Sequence, residues 1–429
     1  MTSADRALVA FERLFGPEFG HGKAFDLGRL RAALAALGAP HHRLPPAIHV
    51  AGTNGKGSAI AFMRAIAQSA GLRVHAFTKP HLLRLNERFV VAGAPAADDA
   101  LIVAAKRIAA VDAGLTQFDA QVGAAFLLFS ETSADLTIIE TGMGGLTDST
   151  NVLEDPALTL ITPIGLDHQD ALGATLAEVA RHKAGILKPG VPAVVARQPR
   201  DAMAVIEARA QEIGAPLWRQ GVEWDAFSHS GRLVVQAESE AFDLPTPALA
   251  GAHQIDNAGA AVAALLRAGF AIPAPCFAMG VENARLPARL QPLTRGRLSA
   301  EIRAQGGEVW LDAGHNADGA RVLAQALTAM QTRRPAQRIV IVGLRARKDA
   351  PAFISALTPA LDNLIAVPLS EAHVAPHDLV ALAREQGLAA ASAASLQHAM
   401  EHAAQFPATR ALICGSFLLA AEALAAENG

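Results

Sequence analysis

The chain has very little cysteine. Cys276 and Cys414 are the two such residues among 429, far apart and without metal-ligand spacing, and both read as small buried apolar residues. No apolar run is both long enough and free enough of charge to span a bilayer. The N-terminal residues Met1-Thr2-Ser3-Ala4-Asp5-Arg6 lack a basic segment followed by an apolar core, so no secretory leader is expected. There is no basic block, and the formal net charge is −3, so nucleic acid is not an expected partner. These absences fit a soluble cytoplasmic enzyme without a membrane partner.

A chain of 429 residues is too long for one ordinary core and implies two or three domains. Short β-rich runs alternate with longer helical ones. Ile48 to Ala51, Val74 to Phe77, Leu136 to Ile139, Leu158 to Ile161 and Val191 to Ala196 read as strands. Asp98 to Val111, Phe118 to Glu131, Leu176 to Leu187 and Ala202 to Ile213 read as helices, and this alternation predicts a parallel sheet with helices on both faces. Trp218 to Leu244 reads as an antiparallel addition, with strands Trp224–Ser228 and Leu233–Ala237 turning at Gly231-Arg232. A helix follows over Asn257 to Ala268.

A stretch rich in proline and arginine, Pro287 to Arg297, marks a domain boundary, after which strands near Glu308–Leu311, Arg338–Val342, Leu364–Val367 and Ala411–Ile413 restart the alternation. Ala381 to Ala394 reads as helix. The expected fold class is α/β. Residues 1–292 are expected to form an N-terminal domain with a mostly parallel sheet and a small antiparallel addition, of the P-loop ATPase type on the strength of the glycine-rich run Gly52 to Ser58; residues 293–429 are expected to form a smaller Rossmann-like α/β domain.

The most informative segment is Gly52-Thr53-Asn54-Gly55-Lys56-Gly57-Ser58, between the apolar run Ile48 to Ala51 and the alanine-rich stretch Ala59 to Ala70. In such a strand–loop–helix setting backbone N–H groups wrap a phosphate, a lysine neutralises it and a hydroxyl reaches magnesium. An ordinary tight strand-to-helix turn is the alternative. The gap between the glycines is shorter than in the common phosphate-loop pattern, and Gly57 separates Lys56 from Ser58.

Ligands of open α/β sheets bind at the carboxyl ends of strands. Three further polar groups stand there. Glu140 ends Leu136 to Ile139 and precedes Thr141-Gly142-Met143-Gly144-Gly145; a strand-tip carboxylate beside a phosphate loop is a natural magnesium ligand, or else a solvated glutamate. Gly165-Leu166-Asp167-His168 follows Leu158 to Ile164, and Asp312-Ala313-Gly314-His315-Asn316 follows Val309 to Leu311. By composition alone Lys183 is a surface charge.

Together these motifs resemble the folylpolyglutamate synthase and dihydrofolate synthase ligases, relatives of the peptidoglycan Mur ligases. The resemblance spans nearly the whole chain. It rests on Gly52 to Ser58, Pro80-His81-Leu82 through Asn86-Glu87-Arg88, Glu140 to Asn151, Leu166-Asp167-His168, His182-Lys183-Ala184-Gly185-Ile186, Pro287-Ala288-Arg289, Asp312 to Asn316 and Gly415-Ser416-Phe417-Leu418. It implies that ATP phosphorylates a carboxylate and that the amine of L-glutamate captures the acyl phosphate. The acceptor would be dihydropteroate or a reduced folate.

The resemblance also implies roles. Gly52, Thr53, Asn54, Gly55, Lys56, Gly57 and Ser58 would hold ATP. Ser58, Glu140 and His168 would hold Mg2+, with a monovalent cation such as K+ as a further candidate. Lys183 matches a lysine carried as a carbamate. Asn257, Arg289 and Asp312 match positions that approach ATP, and His315 and Ser416 positions tied to activity; Lys56, Lys183, His315, Asp312 and Ser416 form the catalytic set. Asp26, Leu27 and Gly28 match pterin-side contacts, together with Thr116, Gln117, Phe118 and Asp119 and with Thr147, Asp148 and Ser149. A monomer is expected.

Two departures stand out. Lys79 replaces a serine that the family uses as a metal ligand: Thr78 substitutes, or the ammonium takes over one metal's task, or that metal binds more weakly. Asp119 stands where glutamate is common. A Mur-type ligase acting on a UDP-muramyl acceptor is the competing enzyme, although the stretch before Gly52 is mostly helical and shows no uridine-nucleotide domain. A catalytically inactive ATP-binding regulatory protein is the alternative from another class.

Overall fold

A computed structural model describes residues 5–18, 27–238 and 240–428. It divides the chain into two units. The first comprises residues 1–165, 172–248 and 255–285; the second comprises 166–171, 249–254 and 286–429. The sequence suggests a boundary at 292, but the division falls at 285. The antiparallel pairing of Gln291–Leu293 with Glu308–Leu311 already ties the proline-rich segment to the second unit.

The first unit is built on eight strands: β1 (Ala47–Ala51), β2 (Val74–Phe77), β3 (Phe89–Val91), β4 (Ala94–Pro95), β5 (Leu136–Glu140), β6 (Leu158–Ile161), β7 (Ala193–Val195) and β8 (Leu217–Arg219). Their spatial order is β4-β3-β2-β5-β1-β6-β7-β8. The central strands are buried along their whole length, which is why they read as mostly apolar on both faces and do not alternate with polar residues. Only β3 runs against the rest, pairing antiparallel with β2 on one side and β4 on the other. Trp218 lies in β8, which pairs parallel with β7; the antiparallel addition therefore begins at β9 (Trp224–His229), not at Trp218. With β10 (Arg232–Ala237) and β11 (Glu240–Leu244), β9 makes a separate three-stranded sheet.

Helices cover both faces of the large sheet. Arg6–Phe15, Leu27–Ala36, Asp98–Asp112 and Gln117–Glu131 build one core around Phe11, Phe77, Phe89, Phe126 and Phe129. Leu176–Ala184 and Arg200–Ile213 build a second core on the same face, further along the sheet, where Ala51, Ile161 and Val195 line up across β1, β6 and β7. The helix after the phosphate loop, Lys56–Ser69, lies close against Ala274–Asn283 because Gly280 has no side chain; a Cβ there would sit 2.4 Å from Ile66 Cα.

The second unit has β12 (Gln291–Leu293), β13 (Glu308–Leu311), β14 (Gln337–Val342), β15 (Asn363–Ala366), β16 (Ala389–Ser392) and β17 (Thr409–Cys414), in the order β12-β13-β17-β14-β15-β16. β16 corrects the helical reading of Ala381 to Ala394. The helix Pro376–Glu385 ends before Gly387, whose φ of +78° favours glycine, and the next residues pair along the edge of β15. Local alanine propensity yields there to the open backbone partners of a sheet edge. Cys414 is buried as expected, whereas Cys276 is only half-buried and donates its thiol to Ser69 O at 3.3 Å.

Candidate active site

β1 lies between β5 and β6. This adjacency brings the loops after the three strands to one edge. Thr53 N and Asn54 N donate to Pro163 O at 3.0 and 3.2 Å, and Thr53 Oγ1 donates to Gly165 O at 2.9 Å. Gly52 has φ +148°, and a Cβ there would sit 1.9 Å from Thr162 Oγ1. Gly55, at φ +89°, caps the helix that begins at Lys56. The first N–H groups of that helix, including those of Gly57 and Ser58, have no intrahelical carbonyl and carry the positive end of the helix dipole. That is the electrostatic basis for phosphate binding.

Lys56 Nζ donates to Gly52 O at 3.0 Å and lies 3.9 Å from Glu140 Oε1. Lys183 Nζ donates to the same carbonyl at 2.8 Å, although its residue is only 4% exposed. The surface-charge reading from composition is thereby overturned. The chain folds so that the helix Leu176–Ala184 ends under the phosphate loop, with Gly145 passing too close to His182 O for any side chain (a Cβ would lie at 2.7 Å). Asn257 is buried beside Gly55, whose Cβ would meet its Oδ1 at 2.4 Å.

Glu140 is 4% exposed at the tip of β5, and its Oε2 accepts the backbone N–H of Lys79 at 3.0 Å. No group of three or more His, Cys, Asp or Glu side chains gathers to hold a metal among the described residues. Oxygen donors of the type magnesium prefers are nevertheless present in Ser58 and Glu140, and a magnesium ion bound with a nucleotide takes most of its ligands from phosphate and water. These two residues fit such an ion. His168 has φ +53° and stands in the segment 166–171, grouped with the second unit.

The ammonium of Lys79 is 3.1 Å from Glu18 Oε1 and 4.5 Å from the centroid of Phe118. Glu18 also accepts from Arg88 at 2.9 Å, and Arg88 donates to Gln121 Oε1 at 2.6 Å and to His81 Nδ1 at 2.9 Å. Burial acts to raise the Glu18 carboxyl; Lys79 and Arg88 outweigh it and hold the group down at about 2. Glu18 and Arg88 carry no sequence signal of their own beyond the Asn86-Glu87-Arg88 motif.

Two of the expected pterin-side segments meet. Asp119 Oδ1 accepts from Ser149 Oγ at 2.6 Å, and its Oδ2 accepts from Thr116 N and Oγ1 at 3.1 and 2.6 Å. The Phe118 ring rests against Gly142, where a Cβ would come within 2.4 Å. Asp148 Oδ2 accepts from Met143 N at 2.7 Å, Thr147 is exposed, and Gln117 Nε2 is buried without a partner among the described residues. Leu27 and Gly28 open the helix Leu27–Ala36; Asp26 lies outside the described residues.

In the second unit Asp312 Oδ2 accepts from Leu290 N at 2.7 Å and Oδ1 from Gly314 N at 2.6 Å, so this carboxylate holds the loop that carries Arg289. The Arg289 guanidinium lies 5.2 Å from the centroid of Phe417. Ser416 is buried, and its Oγ accepts from Leu418 N at 3.0 Å at the start of the helix Phe417–Asn428. His315 Nδ1 is 2.9 Å from Ala313 O, and His315 Nε2 is 3.4 Å from Asp167 Oδ2. Lys348 Nζ closes the group, 2.5 Å from Asp167 Oδ1. Sequence reasoning missed Lys348; the basic run Arg345-Ala346-Arg347-Lys348 just past β14 was the available signal.

A phosphate loop, two lysines on one carbonyl and a following α/β unit with its own strand-tip Asp–His–Asn block define an ATP-dependent ligase of the Mur type. Residues 50–265 match the Mur ligase middle domain, and residues 296–417 match the Mur ligase glutamate ligase domain. The chain belongs to the dihydrofolate synthase/folylpolyglutamate synthase family and is an ATP-dependent ligase of folate metabolism. It is 36% identical over 343 residues to the Bacillus subtilis (strain 168) dihydrofolate synthase/folylpolyglutamate synthase, covering 76% of each chain. The structure of E. coli FolC in complex with DHPP and ADP is similar with a TM-score of 0.87 and 28% identity, over 99% of this chain and 97% of that one. A bifunctional folylpolyglutamate synthase/dihydrofolate synthase with Mn, AMPPNP and L-glutamate bound has a TM-score of 0.86 and 28% identity, over 100% of this chain and 99% of that one. No helix among the described residues is long and apolar enough to cross a membrane.

Proposed function

We propose that this chain joins L-glutamate to a pterin-bearing carboxylic acid, either dihydropteroate or a reduced folate, at the expense of ATP. The observation that carries the reading is the convergence of Lys56 and Lys183 on Gly52 O, beside the buried Glu140 and at a helix N-terminus. A carboxylate and a triphosphate repel each other, so a site that joins them needs fixed positive charge and N–H dipoles where they meet. The carboxylate oxygen attacks the γ-phosphorus and the bond to the β-phosphate oxygen breaks, releasing ADP. The glutamate amine then attacks the acyl carbon, loses a proton, and phosphate leaves.

In this proposal Gly52 to Ser58 wrap the phosphates, and Lys56 offsets their charge. Ser58, Glu140 and His168 are assigned to Mg2+, which when bound would neutralise phosphoryl oxygens; K+ is a second candidate ion. Lys183 acts as its carbamate. Asn257, Arg289 and Asp312 serve ATP, and His315 and Ser416 belong to the catalytic set with Lys56, Lys183 and Asp312. Residues 26–28, 116–119 and 147–149 serve the pterin. The same reading makes the protein a cytoplasmic monomer.

The test is ADP release with magnesium, bicarbonate and L-glutamate, with dihydropteroate and tetrahydrofolate offered separately. Glutamate-dependent release with at least one of them is expected. Release with neither removes the acceptor assignment.

A further inference from the structure

β1 carries one polar side chain in its buried run Ala47-Ile48-His49-Val50-Ala51. His49 is fully buried, and its Nδ1 has no partner among the described residues. Burying an imidazole with one nitrogen unpaired costs stability, and leucine in its place would avoid that cost. What the ring does make is a hydrogen bond from Nε2 to Thr150 Oγ1 at 2.8 Å. Thr150 Oγ1 lies in turn 2.6 Å from Asp148 Oδ1. A hydroxyl has one proton to give, and a carboxylate only accepts. The Thr150 proton therefore goes to Asp148, so His49 is the donor and stands as the neutral Nε2–H tautomer. Burial, with the Lys188 cation nearby, pushes the imidazole down to about 3, which agrees with a neutral ring. Asp148 thus receives three donors: Thr150 N at 3.0 Å and Thr150 Oγ1 on Oδ1, and Met143 N at 2.7 Å on Oδ2. A carboxylate has about four acceptor positions, so one on Oδ2 stays open. That oxygen borders Gly142 together with the Phe118 ring: a Cβ on Gly142 would stand 3.1 Å from Asp148 Oδ2 and 2.4 Å from Phe118 Cζ.

We propose that His49 is a positioning residue for the acceptor acid: through Thr150 it fixes the direction in which Asp148 offers its open oxygen position to an N–H of that substrate. The inference rests on the reading of residues 147–149 as pterin-side. With His49 donating to it, the Thr150 hydroxyl has its own proton aimed at Asp148. Without His49 the hydroxyl is free to turn away, Oδ1 keeps only the backbone N–H of Thr150, and the carboxylate can swing about its last bond. A ring kept for stability alone would show itself in melting. A ring kept for direction shows itself in the affinity for the acceptor acid.

The experiment compares His49→Leu, His49→Gln, Thr150→Val and the double variant His49→Leu/Thr150→Val in the full chain. Steady-state kinetics use whichever of dihydropteroate and tetrahydrofolate the wild type turns over. His49→Leu is expected to raise the KM for the pterin acid about tenfold, with the KM values for ATP and L-glutamate unchanged and the melting temperature unchanged or higher. His49→Gln, whose amide N–H can reach the same hydroxyl, should recover most of the loss. The double variant should be no worse than Thr150→Val alone, because His49 acts only through Thr150. Heteronuclear NMR of the histidine side chains reads the tautomer in the wild type without any variant; a neutral His49 ring with its proton on Nε2 is expected near neutral pH. A proton on Nδ1 overturns the proposal. So does an unchanged pterin-acid KM in a folded His49→Leu, an additive double variant, or a KM for ATP that rises in step with a falling melting temperature. Turnover whose pterin-acid KM ignores His49 leaves the acceptor assignment standing. Turnover with neither acid removes that assignment, and the role of His49 with it.

Discussion

Lys183 Nζ donates to Gly52 O at 2.8 Å, in a setting where Lys183 is 4% exposed and Gly52 opens the phosphate loop. The helix carrying the lysine and the loop that cradles phosphate are therefore one mechanical unit. A free ammonium serves this contact as a donor. A carbamate would instead bring negative charge to the same spot and suit a metal ion.

Carbamate formation consumes carbon dioxide and a neutral amine. Stripping bicarbonate from the buffer should lower turnover, and adding it back should restore activity. Mass analysis of the intact protein should show one added carbon dioxide, lost in Lys183→Ala. Turnover indifferent to bicarbonate, with no added mass, would assign Lys183 to the loop contact alone.

Lys56 reaches both the loop and Glu140. Lys56→Ala should lower kcat/KM for ATP by about 10²- to 10³-fold, the usual scale for one charge-stabilising donor in an active site. The melting temperature should change little, because the side chain contributes no core packing. Steady-state kinetics and a nucleotide-free melt check both parts.

Gly55 tests the close fit of the loop. Alanine there must adopt φ +89° and put its Cβ 2.4 Å from Asn257 Oδ1. Gly71 has a similar φ of +82° and nothing within 4 Å, so Gly71→Ala isolates the backbone cost. We expect Gly71→Ala to destabilise by about 1 kcal/mol with ATP affinity intact. Gly55→Ala should cost about 1–3 kcal/mol and weaken ATP binding at least tenfold. Equal effects of the two would mean that Asn257 yields freely.

Lys79 should show itself in acid. The Glu18 carboxyl is held at about 2 against its ordinary 4.5. A depressed carboxyl stabilises the fold fully above its unfolded value, and that stability is lost as pH falls through the folded value. Lys79→Ser removes one of the two cations. The variant should melt lower than the wild type near neutral pH, by an amount equivalent to about 1 kcal/mol. The gap should close as pH falls from about 4.5 toward 2. A gap independent of pH would place the effect in packing on Phe118.

Much of the scaffold was legible. β1, β2, β5 and β6 carry apolar residues on both faces because both faces of the sheet are covered, and Glu140 at the end of β5 and Asp312 just past β13 stood out as polar groups at strand tips. What local sequence misjudged is equally specific. Ala389–Ser392 has helical composition but completes a sheet edge, and Trp218 joins the parallel sheet through β7. Lys79 stood out as a departure from the family's serine, but its ion-pair partner Glu18 did not.

The amino-acid sequence by itself determined which chemistry the chain can carry: a phosphate loop, a carboxylate at a strand tip, lysines and histidines in a recognisable order. Those are properties of short segments, where hydrogen bonding and backbone freedom act over a few residues. Only the tertiary structure decided which of the charges meet. Lys183 under Gly52, Glu18 between Lys79 and Arg88, and Asp167 against Lys348, 181 residues away, are pairings made by strand order and helix packing. Coulomb energy depends on separation in space and on burial, and neither quantity is written in the order of residues along the chain.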